Sequence, residues 1–197
     1  MKLAPDNVDT ILTALEAQLR LRTKERVHIV VCGGTALAVL QLVPRTTKDV
    51  DVLAWARGLD DTLVLERISD FPDWLTESAQ AVARDFNLPV GWFNAGPTSQ
   101  VDMGLPSGFV GRLIRRDYGP QLTVFFVGRL DQIHFKLFAA VDRNDYHTQD
   151  LLALRPTDAE MAGAAAWVVT QDVSEPFRMV LKDFLSRIGY AAVSQGL

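Results

Sequence analysis

The sequence predicts an α/β fold, α+β in the way its elements segregate, that gives way to an all-helical C-terminal part. Three observations carry this expectation. An unbroken apolar and largely β-branched run, Val27 to Cys32, ends in Gly33-Gly34 and leads straight into a helix-like segment. Such a run suits a strand covered on both faces. Asp49 to Leu53 alternates acids with aliphatic residues, the period of a half-buried strand. Beyond residue 129 the apolar positions follow helical spacing only, which sets a boundary between a core at 1–128 and a helical region at 129–197 packed on it.

The elements follow in order. Val8, Ile11, Leu12, Leu15 and Leu19 recur at helical spacing behind the caps Asp6 or Asp9. After the strand and its glycines, Thr35 to Leu42 reads as a short helix that Pro44 stops, because the residue before a proline avoids helical angles. Leu59 to Ile68 reads as a helix capped by Asp60 or Asp61, and Asp73 to Phe86 as another. Residues 88–110 hold three prolines and four glycines, so turns dominate, with one short strand at Val90 to Phe93. Leu122 to Val127 is the next strand. Helices are then expected at Asp131 to Arg143, Tyr146 to Leu154, Thr157 to Thr170 (a capping box with Glu160) and Ser174 to Ile188.

Composition narrows the functions available. A formal net charge of −4 on 197 residues argues against wholesale electrostatic binding of nucleic acid or anionic membrane. A polyanion would need a local patch, of which Arg112, Arg115 and Arg116 form the clearest, although such a segment also serves as a solvated face. One cysteine, Cys32, excludes a disulfide framework and points to a reducing compartment. No apolar stretch approaches the roughly 20 residues of a membrane span, and the first residues lack a secretory core. The expectation is a cytoplasmic protein without a membrane partner.

The chemistry gathers between Gly33 and Asp51. A glycine turn lets backbone amides approach an anion with no Cβ in the way, and the helix opening at Thr35 adds free N–H groups. A tight turn alone would also select glycine. Asp49 and Asp51, two apart on a strand, project to one face with Cα atoms roughly 6.6 Å apart. Neighbouring like charges are unfavourable unless a cation sits between them. Magnesium is commonly held by one or two carboxylates together with nucleotide phosphates. A solvated strand face is the alternative, weakened by the poor strand propensity of aspartate. Arg45, Thr47 and Lys48, in the loop Pro44-Arg45-Thr46-Thr47-Lys48, offer cations and a hydroxyl for phosphate oxygens, or else simply balance the adjacent acids.

An apolar strand, Gly-Gly, a short helix and then Arg45-x-Thr47-Lys48-Asp49-Val50-Asp51 resembles the nucleotidyltransferases of the DNA polymerase β superfamily. Within it the chain is similar to the bacterial group related to AbiEii-type toxins, and in particular to its DUF6036-like branch. Looser matches continue at Leu105-Pro106-x-Gly108 and over Leu130 to Leu154. The resemblance implies a mixed sheet flanked by helices, with Mg2+ held between the paired acids and a nucleoside triphosphate. It implies transfer of a nucleoside monophosphate to a hydroxyl acceptor, with tRNA or another RNA a reasonable candidate and an antitoxin protein a possible partner. It also brings in a lysine and an acid on later helices, matched here by Lys136 and Asp150.

The residues around that second pair leave alternatives open. Ile133, Lys136, Leu137 and Ala140 share a helical face, so Lys136 either meets a phosphate or carboxylate or snorkels along an apolar surface. Asp150 serves either the site or a helix-stabilising salt bridge, with Arg143 as its candidate partner. The candidate catalytic residues are therefore Asp49, Asp51, Lys136 and Asp150, with Gly33, Gly34, Thr35, Arg45, Thr47 and Lys48 toward the nucleotide. The superfamily usually adds a third carboxylate on a neighbouring strand. Neither Leu122 to Val127 nor Val90 to Phe93 carries one, and Asp102 is the nearest substitute. A fold retained for binding or sensing, without transfer, is the alternative function. Trp92 and Phe93 read as packing residues that could also stack on a base.

Overall fold

The structure of the protein, a computed structural model, describes residues 5–44, 46–58, 62–143 and 146–197, and for residues 5 and 6 the backbone alone. The chain forms two compact units, Met1–Gly128 and Arg129–Leu197. The first is a mixed sheet with helices. Helix α1 (Pro5–Arg22) is followed by β1 (Val27–Cys32), α2 (Gly33–Val39) and β2 (Val50–Arg57). Then come β3 (Val64–Glu66), α3 (Asp73–Phe86), β4 (Phe93–Asn94), α4 (Gln100–Met103), β5 (Ile114–Asp117) and β6 (Leu122–Phe126).

The sheet runs β3-β2-β1-β6-β5, and β4 shares the outer edge of β2 with β3. β1 pairs antiparallel with β2 and parallel with β6, so it lies inside the sheet, where only His28 is not fully buried. That placement accounts for its continuous apolar run. On one face, Ile29, Val31, Val50, Val52, Val124 and Phe126 pack with the apolar stripe of α1 and with Leu75, Ala79 and Val82 of α3. Residues of the opposite parity, including Cys32 and Asp51, belong to the other face.

Three local expectations change. Leu59 to Ile68 is not a helix where it is described: Val64–Glu66 is a strand paired with Trp55 to Arg57. Arg57 Nε donates to Glu66 at 2.9 Å across that pair, and pairing with an available edge overrides local helix propensity. The suggested caps Asp60 and Asp61 lie outside the described residues. The strand expected at Val90 to Phe93 sits later, at Phe93–Asn94. β5 was not foreseen because its sequence, Ile-Arg-Arg-Asp, is that of a charged edge strand.

The second unit is helical: α5 (Arg129–Arg143), α6 (Tyr146–Ala153), α7 (Asp158–Gln171), α8 (Glu175–Arg187) and α9 (Ala191–Gln195). Thr157 caps α7 in a reciprocal box with Glu160, and Ser174 caps α8. Arg129 ties the unit together. Its guanidinium donates to both oxygens of Glu160 and to the carbonyls of Leu154 and Arg155. The bond from Arg129 first, then the Thr157 amide, holds the Glu160 carboxyl down to about 2. Among the described residues no helix is long and apolar enough to cross a membrane.

Candidate nucleotide and metal site

The site is built where β1 ends and β2 begins. The β1–β2 register shifts between Val30 and Val31 and then sets Cys32 opposite Asp51. The chain must turn at once into α2, and Gly33 does so at φ +66°. A side chain there would be strained by that angle alone. It would also collide: a Cβ on Gly33 would stand 2.5 Å from Asp51 Oδ2. The glycine therefore answers to the carboxylate as well as to the turn. Its neighbour Gly34 is buried at the start of α2.

Asp49 is fixed by two threonines. Thr35, fully buried on α2, donates its hydroxyl to the Asp49 carbonyl at 2.6 Å. Thr47 donates to the Asp49 carboxylate at 3.1 Å, with the carbonyl at 3.4 Å. Both acids are half-buried, and the intervening Val50 is in the core. Of the residues singled out from sequence, Gly33, Thr35, Thr47, Asp49 and Asp51 are brought together. Lys48 is adjacent and exposed. Arg45 lies outside the described residues.

One member of the site was missed. β4 runs parallel to β2 with Asn94 opposite Asp51. The Asn94 amide nitrogen donates to Asp51 Oδ1 at 3.2 Å, while its oxygen accepts the Gly96 N–H at 2.9 Å. The two bonds agree on one orientation of the amide, since reversal would set oxygen against carboxylate and nitrogen against N–H. A neutral amide thus stands beside Asp51 on the neighbouring strand. The alternation that ends at Phe93, extended by one residue, was the available signal. Asp102, the substitute acid considered from sequence, is on α4 and takes the Arg67 guanidinium at 2.6 Å.

Among the described residues no group of three or more Asp, Glu, His or Cys side chains converges as a cation site. Asp49 just before β2 and Asp51 within it, two carboxylates in three residues, nevertheless suit Mg2+, which keeps several waters and completes its shell with phosphate oxygens. The donor set fits that ion in chemistry and number.

The helical unit holds the other pair. Lys136 on α5 donates to Asp150 Oδ2 on α6 at 2.7 Å, with both side chains about 5% exposed, and its ammonium lies 5.7 Å from the centre of the Tyr146 ring. Arg143, the partner considered for Asp150, is exposed with its Nε 3.3 Å from Asp142. Lys136 takes that role because it lies on the buried face of α5.

Of Arg112, Arg115 and Arg116, the last two are committed to separate partners. Arg115 pairs with Asp117 at 3.1 Å. Arg116 reaches Asp9 at 3.3 Å and donates to the Val39 carbonyl at the end of α2. Thr123, more than Arg115, keeps the Asp117 carboxyl below its usual range. Burial, then Arg115 and Arg26, keep the His28 imidazole below its own.

No curated protein and no solved structure matches the chain. A family model described as "Nucleotidyltransferase of unknown function (DUF6036)" matches residues 10–159. That span takes in the glycine turn, both carboxylates, Asn94 and the Lys136–Asp150 pair, and covers well over half of the chain. The chain belongs to this family of nucleotidyltransferases of unknown function.

Proposed function

We propose that the protein is a magnesium-dependent nucleotidyltransferase that moves a nucleoside monophosphate from a nucleoside triphosphate to a hydroxyl acceptor. The observation that carries this reading is the close approach of Gly33 to Asp51, 2.5 Å from a notional Cβ to the carboxylate, with Asp49 pinned beside it by Thr35 and Thr47. A turn without a side chain lets the Asp51 carboxylate stand directly against the backbone that leads into α2, which sets the acids beside the turn at which a phosphate would arrive.

In the proposed reaction the acceptor oxygen bonds to the α-phosphorus and the bond from that phosphorus to the bridging oxygen of the β-phosphate breaks. Pyrophosphate leaves and the hydroxyl proton passes to solvent. Asp49 and Asp51 would hold Mg2+, which supplies charge neutralisation for the phosphates when bound. Thr35 and Thr47 orient Asp49, Asn94 orients Asp51, and Lys48 and Arg45 are the candidate phosphate cations. Lys136 and Asp150 enter on the resemblance alone. The likeness to AbiEii-type toxins makes tRNA the acceptor to try first and a toxin–antitoxin pairing the setting to examine.

A second reading has its own observation. Asn94 occupies a neighbouring-strand position where a third carboxylate would stand, and an amide cannot take the acceptor's proton. A nucleotide-binding protein without transfer would look the same at Asp49 and Asp51. Incubation with each labelled triphosphate, Mg2+ and total RNA separates the two readings. Label in RNA that disappears in Asp51→Asn supports transfer. Binding of nucleotide without any labelled product across RNA, protein and small-molecule acceptors supports the second reading.

A further inference from the structure

The residues that lead into β4 line a cavity on the far face of the sheet from the carboxylates. It measures about 590 Å³ and lies between α3 and residues 87–93, walled by Phe71, Ala83, Trp92 and Phe93, with Gln80 and Arg84 among its lining. That size and this mixture of apolar wall and few polar groups are those of small-molecule sites. The walls are held in place. The Trp92 indole N–H donates to the Ala79 carbonyl at 3.0 Å, and the Phe71 and Phe93 rings meet with centroids 5.0 Å apart. Arg84, in the last turn of α3, is exposed and makes no ion pair or hydrogen bond among the described residues. Val90 stands fully in solvent on the turn that edges the cavity. An apolar wall beside an uncommitted guanidinium suits an apolar body that carries an anionic group.

This cavity is wired to the carboxylates by a two-residue strand. Phe93 pairs with Val50 and lines the cavity; Asn94 pairs with Asp51 and donates to its carboxylate at 3.2 Å. Consecutive strand residues face opposite sides of a sheet, so one side of β4 meets the cavity and the other meets Asp51. The Val50 N–H also donates to the Trp92 carbonyl, which binds the same segment to β2.

We infer that the cavity is a binding site for a small apolar molecule bearing one anionic group, and that its occupancy is transmitted to Asp51 through Phe93 and Asn94. The inference holds whether or not the carboxylates transfer a nucleotide.

The test uses the full chain and 8-anilinonaphthalene-1-sulfonate, followed by fluorescence and by NMR of the Asn94 side-chain amide. Saturable one-to-one binding is expected, with displacement of the Asn94 amide signals at saturation. Arg84→Gln is expected to weaken the probe about tenfold. N-phenyl-1-naphthylamine, which lacks the sulfonate, should bind wild type and Arg84→Gln equally. Ala83→Trp, which fills the cavity, should abolish binding; Gln80→Trp, at an exposed position on the same helix, provides a second filling variant if the first is destabilised. Unchanged probe affinity in Arg84→Gln and in a folded filling variant would overturn the site. Saturation without movement of the Asn94 signals would overturn the transmission.

Discussion

Gly33 and Asp51 compete for one volume: the space a side chain on Gly33 would fill holds the Asp51 carboxylate, 2.5 Å from the notional Cβ. The end of β1, the start of α2 and the first acid of β2 are therefore adjusted to one another. Gly33→Ala is expected to lose about 1–2 kcal/mol from its left-handed backbone and to displace Asp51 as well. Gly91→Ala is the matched control, since Gly91 has φ +76° with nothing near its notional Cβ. Urea unfolding should show both variants destabilised, while isothermal titration with ATP and Mg2+ should show binding lost only in Gly33→Ala. Equal retention of binding in the two would separate the glycine from the site.

Thr35 carries a different kind of constraint. Its hydroxyl is fully buried and donates to the Asp49 carbonyl at 2.6 Å. Thr35→Val keeps the shape and removes the donor, at an expected cost of about 1–3 kcal/mol. Thr35→Ser should recover most of that loss. If valine is tolerated as well as serine, the hydroxyl is not what fixes Asp49.

The Lys136–Asp150 pair should behave as a unit. Breaking a buried ion pair from one side leaves an uncompensated charge, so Lys136→Met is expected to cost about 3–5 kcal/mol. Lys136→Met combined with Asp150→Leu should restore most of the stability. Thermal unfolding of the two singles and the double closes the cycle. A restored double variant that has also lost nucleotide transfer would establish a role in the reaction beyond packing.

Glu160 gives the helical unit a definite pH response. Its carboxyl is held at about 2 in the fold against an ordinary 4.5, chiefly by Arg129. A carboxyl with a depressed folded pKa contributes stability that is complete above the unfolded value and is lost as pH falls through the folded one. Relative to Glu160→Gln, wild type should be more stable by about 1–2 kcal/mol at neutral pH, allowing for solvent screening of a partly open pair. That advantage should shrink below pH 4.5 and vanish near pH 2. An advantage independent of pH would assign the effect to the capping geometry instead.

What could be read from the sequence tracks how local each signal is. The strand-glycine-helix passage and the i, i+2 acids were legible because β1 is buried on both faces and Asp51 is set by alternation within β2. The C-terminal helices were legible from their caps, Thr157 with Glu160 and Ser174. Val64–Glu66 was not, because three residues become a strand only by pairing with β2. Asn94 was hidden for the same reason: its meaning lies in a partner 43 positions away. Lys136 was legible as a buried cation, but choosing Asp150 over other bonds required the packing of α6 on α5.

The central claim is that Asp49 and Asp51 form a metal-dependent triphosphate site, and ion-dependent thermal stabilisation tests it most directly. With ATP at 100 times its dissociation constant, linkage gives about 2.7 kcal/mol of added stability. The account predicts a rise in Tm with ATP and Mg2+ together, little with ATP and a chelator, and none in the Asp49→Asn/Asp51→Asn variant, which should remain folded. A full, magnesium-dependent shift in the double variant would contradict it.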